Sequence, residues 1–257
     1  MNMSVALTIA TSDSGCGAGI QADLLTFSAC QTYGVTALAA LTAQNPDGVN
    51  AIQELPPAFL QAQLEQLWGY YPIGAVKTGM LFSAPLIETT AAFIERAKIP
   101  LIVDPVMVAT SGACLLRSDA ISCLKSRLLP LATLITPNLD EAAVLLGKRP
   151  STPKAMRDAA KELTQCFGAA TLMKGGHLPG DELLDMLYLP NGEILEMTSN
   201  RISDVNTHGS GCTLSAAITA FVAKGLTLTE AVKSAHAYLQ DGLQHPLQVA
   251  GQTFIRH

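Results

Sequence analysis

The segment Asn206-Thr207-His208-Gly209-Ser210-Gly211-Cys212-Thr213-Leu214-Ser215 places glycines, hydroxyls and one thiol directly before an apolar-periodic stretch at 216–222. That order predicts a turn of exposed backbone N–H groups opening a helix. The first amides of a helix lack intrahelical partners and lie at its positive end, so such a start binds anions. Cys212 sits in the same turn, where the helix field is expected to lower its pKa toward thiolate. An anion cradle with an ionisable side chain inside it suits phosphoryl transfer. The same residues also read as a glycine-rich helix cap around an incidental buried cysteine, and the segment alone leaves both readings open. Lys174, followed by Gly175-Gly176, is a second candidate. A lysine at a strand end with flexible backbone beside it is placed to meet phosphate.

Other polar residues carry two readings each. Asp104 before Pro105 fits a turn carboxylate as well as a metal ligand. Asn138, with Glu141 three residues on, fits a capping box as well as a magnesium role. Gly15, Gly17 and Gly19 form a glycine-spaced turn that lacks the dinucleotide fingerprint, and the strict P-loop pattern is absent. His177 and His208 read as local hydrogen-bonding residues.

Alternating elements must position these groups. Apolar runs at 5–10, 34–42, 51–55, 75–77, 101–103, 134–136 and 170–174 read as strands. Helical spacing covers 21–30, 57–70, 84–97, 120–129, 139–146, 153–167, 213–222 and 229–244, and Pro190-Asn191-Gly192 joins a hairpin of 186–189 and 193–197. Strand, helix, strand in this order predicts an α/β fold, a mainly parallel sheet covered on both faces. With no linker or internal repeat, 1–257 reads as one domain carrying a small strand flap at 34–55. In such a fold functional loops collect at the carboxyl ends of the strands. Thr11–Gly19, Gln44-Asn45, Lys77–Met80, Asp104–Met107, Thr136–Glu141 and Lys174–His177 all fall there, so they are expected to share one cleft.

Composition narrows the classes. Hydrophobic residues are 49% and charged residues 14%, so much of the chain must be buried. A net charge of −5 argues against nucleic-acid binding. No apolar run reaches membrane-span length, and 1–10 lacks a basic leader region, which gives the expectation of a soluble cytoplasmic protein. The six cysteines form no CxxC pair and share no ligand spacing with the five histidines, so neither disulfides nor zinc are expected.

Read together, these blocks resemble the ribokinase-like superfamily and, within it, the hydroxymethylpyrimidine/phosphomethylpyrimidine kinases of thiamine biosynthesis. The resemblance runs through Ser12-Asp13-Ser14, Gly17-Ala18-Gly19-Ile20-Gln21-Ala22-Asp23, Leu41-Thr42-Ala43-Gln44-Asn45, Val76-Lys77-Thr78-Gly79-Met80, Asp104-Pro105-Val106-Met107, Thr136-Pro137-Asn138-Leu139-Asp140-Glu141-Ala142, Met173-Lys174-Gly175-Gly176-His177 and the 206–215 block. It implies a three-layer α/β/α fold, often dimeric, and an ATP- and Mg²⁺-dependent kinase. Such an enzyme phosphorylates 4-amino-5-hydroxymethyl-2-methylpyrimidine and then its monophosphate. By the same resemblance Gln44 reads the pyrimidine edge, with Asp23, Ala18, Met80 and Val106 also on the substrate. Asp104 and Glu141 stand near Mg²⁺, and Lys174, Asn138, Thr207 and Ser210 contact ATP. Gly209 and Gly211 hold the transferring phosphoryl group, and Cys212 accepts the substrate proton. The chain departs from the family at Thr11 and Cys16, where glycines are usual, and in its tail, Val249 to His257. Thr11 is expected to crowd the ring or demand a different backbone angle. A pyridoxal or pyridoxine kinase, a catalytically weak pyrimidine-binding regulator and a thiol hydrolase are the competing readings.

Overall fold

Buried apolar side chains alternate along each central strand between two separate cores. Leu7, Leu101, Val103, Ile135 and Met173 feed one core, and Ala6, Ile102, Leu134 and Leu172 feed the other. Strands apolar on both sides must be covered on both sides. The computed structural model describes residues 3–107, 116, 118–176, 178, 180–202 and 205–257; His177 and Cys114 lie outside them.

The strands are β1 (Val5–Asp13), β2 (Tyr33–Asn45), β3 (Gly48–Glu54), β4 (Ile73–Thr78), β5 (Leu101–Val103), β6 (Leu134–Ile135), β7 (Ala170–Lys174), β8 (Glu182–Tyr188) and β9 (Ile194–Asn200). They form one nine-stranded sheet in the order β3-β2-β1-β4-β5-β6-β7-β8-β9. From β2 to β7 neighbours are parallel, and β3, β8 and β9 pair antiparallel at the two sides. Helices α1 (Gly19–Ala29), α7 (Ser210–Ala223) and α8 (Leu228–Gln244) bury Phe27, Leu214, Ile218 and Val232 on one face. On the other, α2 (Pro57–Trp68), α3 (Ala84–Ala97), α5 (Leu139–Leu146) and α6 (Pro153–Phe167) bury Leu60, Leu86, Ile87, Leu145 and Leu163. The three-layer arrangement expected from the sequence is present.

Several boundaries differ from the expected ones, each for a physical reason. β1 runs on to Asp13, because Ser12 and Asp13 pair with Leu41 and Thr42 after a register shift. That polar end still counts as strand. The hairpin of β8 and β9 is longer than predicted, pairing from Glu182↔Asn200 to Tyr188↔Ile194. Its half-exposed residues blur the apolar pattern. The predicted helix at 120–129 begins at Ser118 as α4 (Ser118–Cys123), widens into a π turn over Leu124–Leu128 and ends in a 3₁₀ turn at Leu129–Leu131. Pro130, which has no N–H, stands in that last turn. The tail forms a separate hairpin, β10 (Leu247–Val249) with β11 (Gln252–Phe254), and Thr253 Oγ1 accepts from the Asn206 N–H just ahead of α7. The flap is the antiparallel pair β2–β3 at one edge of the sheet.

Candidate active site

The carboxyl ends of β1, β2, β4, β5, β6 and β7 and the start of α7 open onto one cavity of about 500 Å³. Gly209 caps α7 with φ 84°, and a Cβ on it would stand 1.8 Å from the Gly17 carbonyl oxygen. The loop ahead of α7 therefore lies directly on the loop after β1, and only glycine fits. Gly211, the second residue of α7, faces the charged end of the site: a Cβ there would lie 3.1 Å from Lys174 Nζ and 3.5 Å from Asp104 Oδ2.

Lys174 donates to Asp104 Oδ1 at 3.0 Å and stands 3.9 Å from Glu141 Oε2. Burial pulls Lys174 down, but Asp104 and Glu141 more than offset it and hold the ammonium above its ordinary range. Burial pushes Glu141 up to about 7; Lys174 opposes this and the charge of Asp104 adds to it. Asn138 forms a complete capping box on α5. Its Oδ1 accepts from the Asp140 and Glu141 amides, and Glu141 Oε2 accepts from the Asn138 N–H. The cap reading is thus realised, and the cap itself fixes the Glu141 carboxylate in the cavity wall.

Cys212 corrects an expectation. Its thiol is pushed up to about 11, not down. Burial is the main cause. Lys77 works against it, Asp23 and Asp104 add to it, and the Gly19 N–H bonded to the sulfur only partly compensates. The helix field is too weak to outweigh the loss of water.

Asp23, expected on the substrate, is also placed differently. It does not line the cavity; it is fully buried beneath it, accepting on Oδ2 from Thr8 at 2.6 Å and from Lys77 at 2.9 Å. The β1–β4 register sets Thr8 opposite Lys77, which brings both onto α1. The remaining predicted residues, Ala18, Gln44, Met80, Val106, Asp104, Asn138, Glu141, Lys174, Thr207, Gly209, Ser210, Gly211 and Cys212, all line the cavity.

Three side chains left without a site role of their own by sequence reasoning, though Asp13 and Lys77 fell in loops expected at the cleft, line the cavity as well. Lys77, fully buried, reaches the cavity beneath Gly79. A lysine inside an apolar strand was its available signal, since such a charge must be paired. Asp13 and His208 lie 3.5 Å apart, and His208 Nε2 lies 3.2 Å from Gln44 Nε2. Nothing local in the sequence marks that cluster. Among the described residues no group of three or more His, Cys, Asp or Glu forms a metal cage.

The model of the phosphomethylpyrimidine kinase family matches residues 13–255. The chain belongs to that family. It is 46% identical over 236 residues to a hydroxymethylpyrimidine/phosphomethylpyrimidine kinase of Rhizobium meliloti, covering 91% of this chain and 88% of that one. It is also 46% identical to a bifunctional thiamine biosynthesis protein of Geobacter sulfurreducens, covering 91% of this chain but 48% of that protein, so it spans about half of that relative. Among solved structures, the ADP complex of Bacillus subtilis pyridoxal kinase superposes with a TM-score of 0.92 at 35% identity, covering 100% of this chain and 98% of that one. The start of α7 and Lys174 face each other in the cavity, a Cβ on Gly211 lying 3.1 Å from Lys174 Nζ.

Within this kinase the two unusual residues of the first loop have defined places. Thr11 donates to the Met80 carbonyl at 2.9 Å, tying the ends of β1 and β4 together. It is not forced into a glycine conformation. Cys16 is: its φ is 60°, a left-handed backbone suited to the family's glycine. Among the described residues no helix is long and apolar enough to cross a membrane.

Proposed function

We propose that this kinase transfers the γ-phosphoryl group of ATP to the hydroxymethyl group of 4-amino-5-hydroxymethyl-2-methylpyrimidine, and then to the phosphate of the monophosphate, in thiamine biosynthesis. The observation that carries the proposal is the meeting of the α7 start, Lys174 and Cys212 in the cavity that also holds Gln44. Lys174, Asn138, Thr207 and Ser210 serve the nucleotide end. Gln44, Ala18, Met80 and Val106 serve the ring. Amides of Gly209 and Gly211 and the Lys174 ammonium neutralise charge on the group in flight, which is most of what a loose phosphoryl transition state requires.

The donor set fits Mg²⁺. Two buried carboxylates, Asp104 and Glu141, share one ammonium, and the charge of Asp104 adds to the upward push that burial exerts on Glu141. Such an ion is held by one or two carboxylates, substrate phosphates and water, and it supplies charge neutralisation at the phosphates. Cys212 is the group beside the transferring centre able to take the acceptor proton. Cytoplasmic location, where ATP is available, and a homodimer built through the flap complete the reading. The exposed Leu41 and Val49 on β2 and β3 support the dimer.

The test is ADP release from MgATP with the pyrimidine, its monophosphate, pyridoxine and pyridoxal, in the wild type and in Cys212→Ser. Turnover on both pyrimidines is expected, with Cys212→Ser slower by about 10²-fold at saturation. Near-parental turnover of that variant removes the proton-acceptor role. Turnover confined to pyridoxine and pyridoxal, the reading favoured by the Bacillus subtilis structure, reassigns the acceptor.

A further inference from the structure

The acceptor side of the cavity is framed by three side chains from distant parts of the chain. Asp13 ends β1, Gln44 lies near the end of β2, and His208 precedes α7. His208 Nε2 stands 3.5 Å from Asp13 Oδ2 and 3.2 Å from the Gln44 carboxamide. Gly17 makes room for the imidazole: a Cβ there would come within 2.7 Å of His208 Cδ2.

A carboxamide turned by 180° fills the same space with donor and acceptor exchanged, so its neighbours decide which way it faces. Two neighbours of Gln44 do so independently. Thr42 Oγ1 lies 2.8 Å from the Ser12 carbonyl and 3.3 Å from Gln44 Oε1. Its hydroxyl has one proton, the carbonyl can only accept, and the shorter contact takes it. Thr42 therefore faces Gln44 as an acceptor and calls for the NH₂ group. On the opposite side, burial raises Asp13, but His208 and the amides of Gly15 and Ala18 outweigh it and keep the carboxylate charged. A carboxylate only accepts, so His208 Nε2 must carry hydrogen. Facing that N–H, Gln44 must present oxygen. With Nε2 on His208 and Oε1 on Thr42, two N–H groups would oppose each other and Thr42 would have to donate twice; a half-turn removes both conflicts.

We propose that His208, fixed by Asp13, is a specificity-determining positioning residue that locks the Gln44 carboxamide with its oxygen on His208 and its NH₂ on Thr42. The acceptor ring then meets a single order of donor and acceptor. A 4-aminopyrimidine edge sets an exocyclic donor beside a ring-nitrogen acceptor and pairs with one carboxamide orientation only. A ring without the amino group leaves a buried partner unpaired and is rejected. This inference rests on Gln44 facing the acceptor ring.

The experiment measures kcat/KM for 4-amino-5-hydroxymethyl-2-methylpyrimidine and for the same molecule with hydrogen in place of the 4-amino group. The ratio of the two is compared in the wild type, Gln44→Ala, His208→Ala and His208→Gln. A ratio within one variant cancels any loss of folded enzyme. Gln44→Ala and His208→Ala are both expected to lower the ratio by about tenfold or more, through the KM of the aminopyrimidine, while the KM for MgATP moves less than about threefold. His208→Gln places an N–H near the former Nε2, against Asp13, and should restore most of the ratio. If His208→Ala keeps the wild-type ratio while Gln44→Ala loses it, His208 does not orient Gln44 and the inference falls alone. If Gln44→Ala also keeps the ratio, Gln44 does not read the ring, and that reading falls first. An equal rise in KM for both acceptors in His208→Ala marks a purely structural role and overturns the inference.

Discussion

Replacing Asp23 by Asn would leave one unbalanced charge in the middle of the molecule. Asp23 and Lys77 are 2.9 Å apart with both side chains at 0% exposure, and Asp23 Oδ1 has no hydrogen-bond partner among the described residues. Burial pulls Lys77 down, yet Asp23, Cys212 and Asp104 more than offset it, so the lysine stays protonated. An Asn side chain keeps a bond to Thr8 or Lys77 but no longer neutralises the ammonium. Breaking a buried pair from one side costs about 3–5 kcal/mol, whereas replacing both partners by apolar groups is often neutral or better. At about 2–4 °C per kcal/mol for a chain of this size, Asp23→Asn should lower Tm by roughly 10 °C. Lys77→Met should do the same. The double variant Asp23→Leu/Lys77→Met should recover most of the loss seen in Asp23→Leu and in Lys77→Met alone, giving a strongly non-additive cycle in thermal or urea unfolding. Recovered stability should not bring back turnover, because the ammonium that opposes the upward push on Cys212 is gone. Single variants costing under about 1 kcal/mol, or an additive double variant, would refute the assignment of Lys77 and Asp23 as a mutually dependent pair.

Two further outcomes follow from the same geometry. Glu141, pushed up to about 7 from an ordinary 4.5, binds its proton more tightly folded than unfolded; its ionisation is thus free of cost below the ordinary value, costs increasingly as pH rises toward about 7, and is constant above. In metal-free buffer Glu141→Gln should therefore gain stability over the wild type at pH 8 relative to pH 4, by at most roughly 3 kcal/mol, and Tm differences that do not change with pH would contradict the buried, crowded carboxylate. Gly209→Ala should lower kcat/KM by about 10²-fold, because its methyl cannot coexist with the Gly17 carbonyl, and should be worse than Gly211→Ala, whose methyl meets side-chain ends only, Lys174 Nζ at 3.1 Å and Asp104 Oδ2 at 3.5 Å; the reverse order in steady-state assays would mean that the loop contact at Gly17 is not what holds the cradle.

The central strands were legible because each is apolar on both sides, and the cleft was legible because polar residues gather at their carboxyl ends while the strand bodies are almost wholly apolar. What the sequence could not carry are contacts between ends that are far apart in the chain. Gln44 and His208 are separated by 164 positions, and Lys77 and Asp23 by 54. Gln44, His208 and Asp23 each have an ordinary local explanation, and Lys77 in its apolar strand signals a partner without saying which. The family pattern placed Asp23 on the substrate; the register of Thr8 with Lys77 turns it instead toward a buried ammonium. Asn138 shows the opposite situation. The capping box that competed with a functional role is what fixes Glu141 in the cavity, so the two readings were never alternatives.

Cys212 shows why a helix start alone does not define a reactive thiol. The helix end contributes a partial charge that acts over the first turn, worth about 1 kcal/mol at most surface positions. Moving a thiolate out of water costs more, and Asp23 and Asp104 add to that cost, so the thiol rests near 11. At neutral pH a preformed thiolate would then be on the order of one molecule in ten thousand. A mechanism that required it would waste nearly the whole enzyme population. A loose transition state does not require it, because the attacking hydroxyl needs its proton removed only as the new P–O bond closes. A protonated thiol can take that proton only as its own S–H proton passes to another base, such as a non-bridging oxygen of the phosphoryl group in transfer. Lys77 is the cation near the sulfur that favours negative charge there. On the proposed function, most of the acceleration would therefore come from Lys174 and the α7 amides, with Cys212 contributing at the small end of general-base effects.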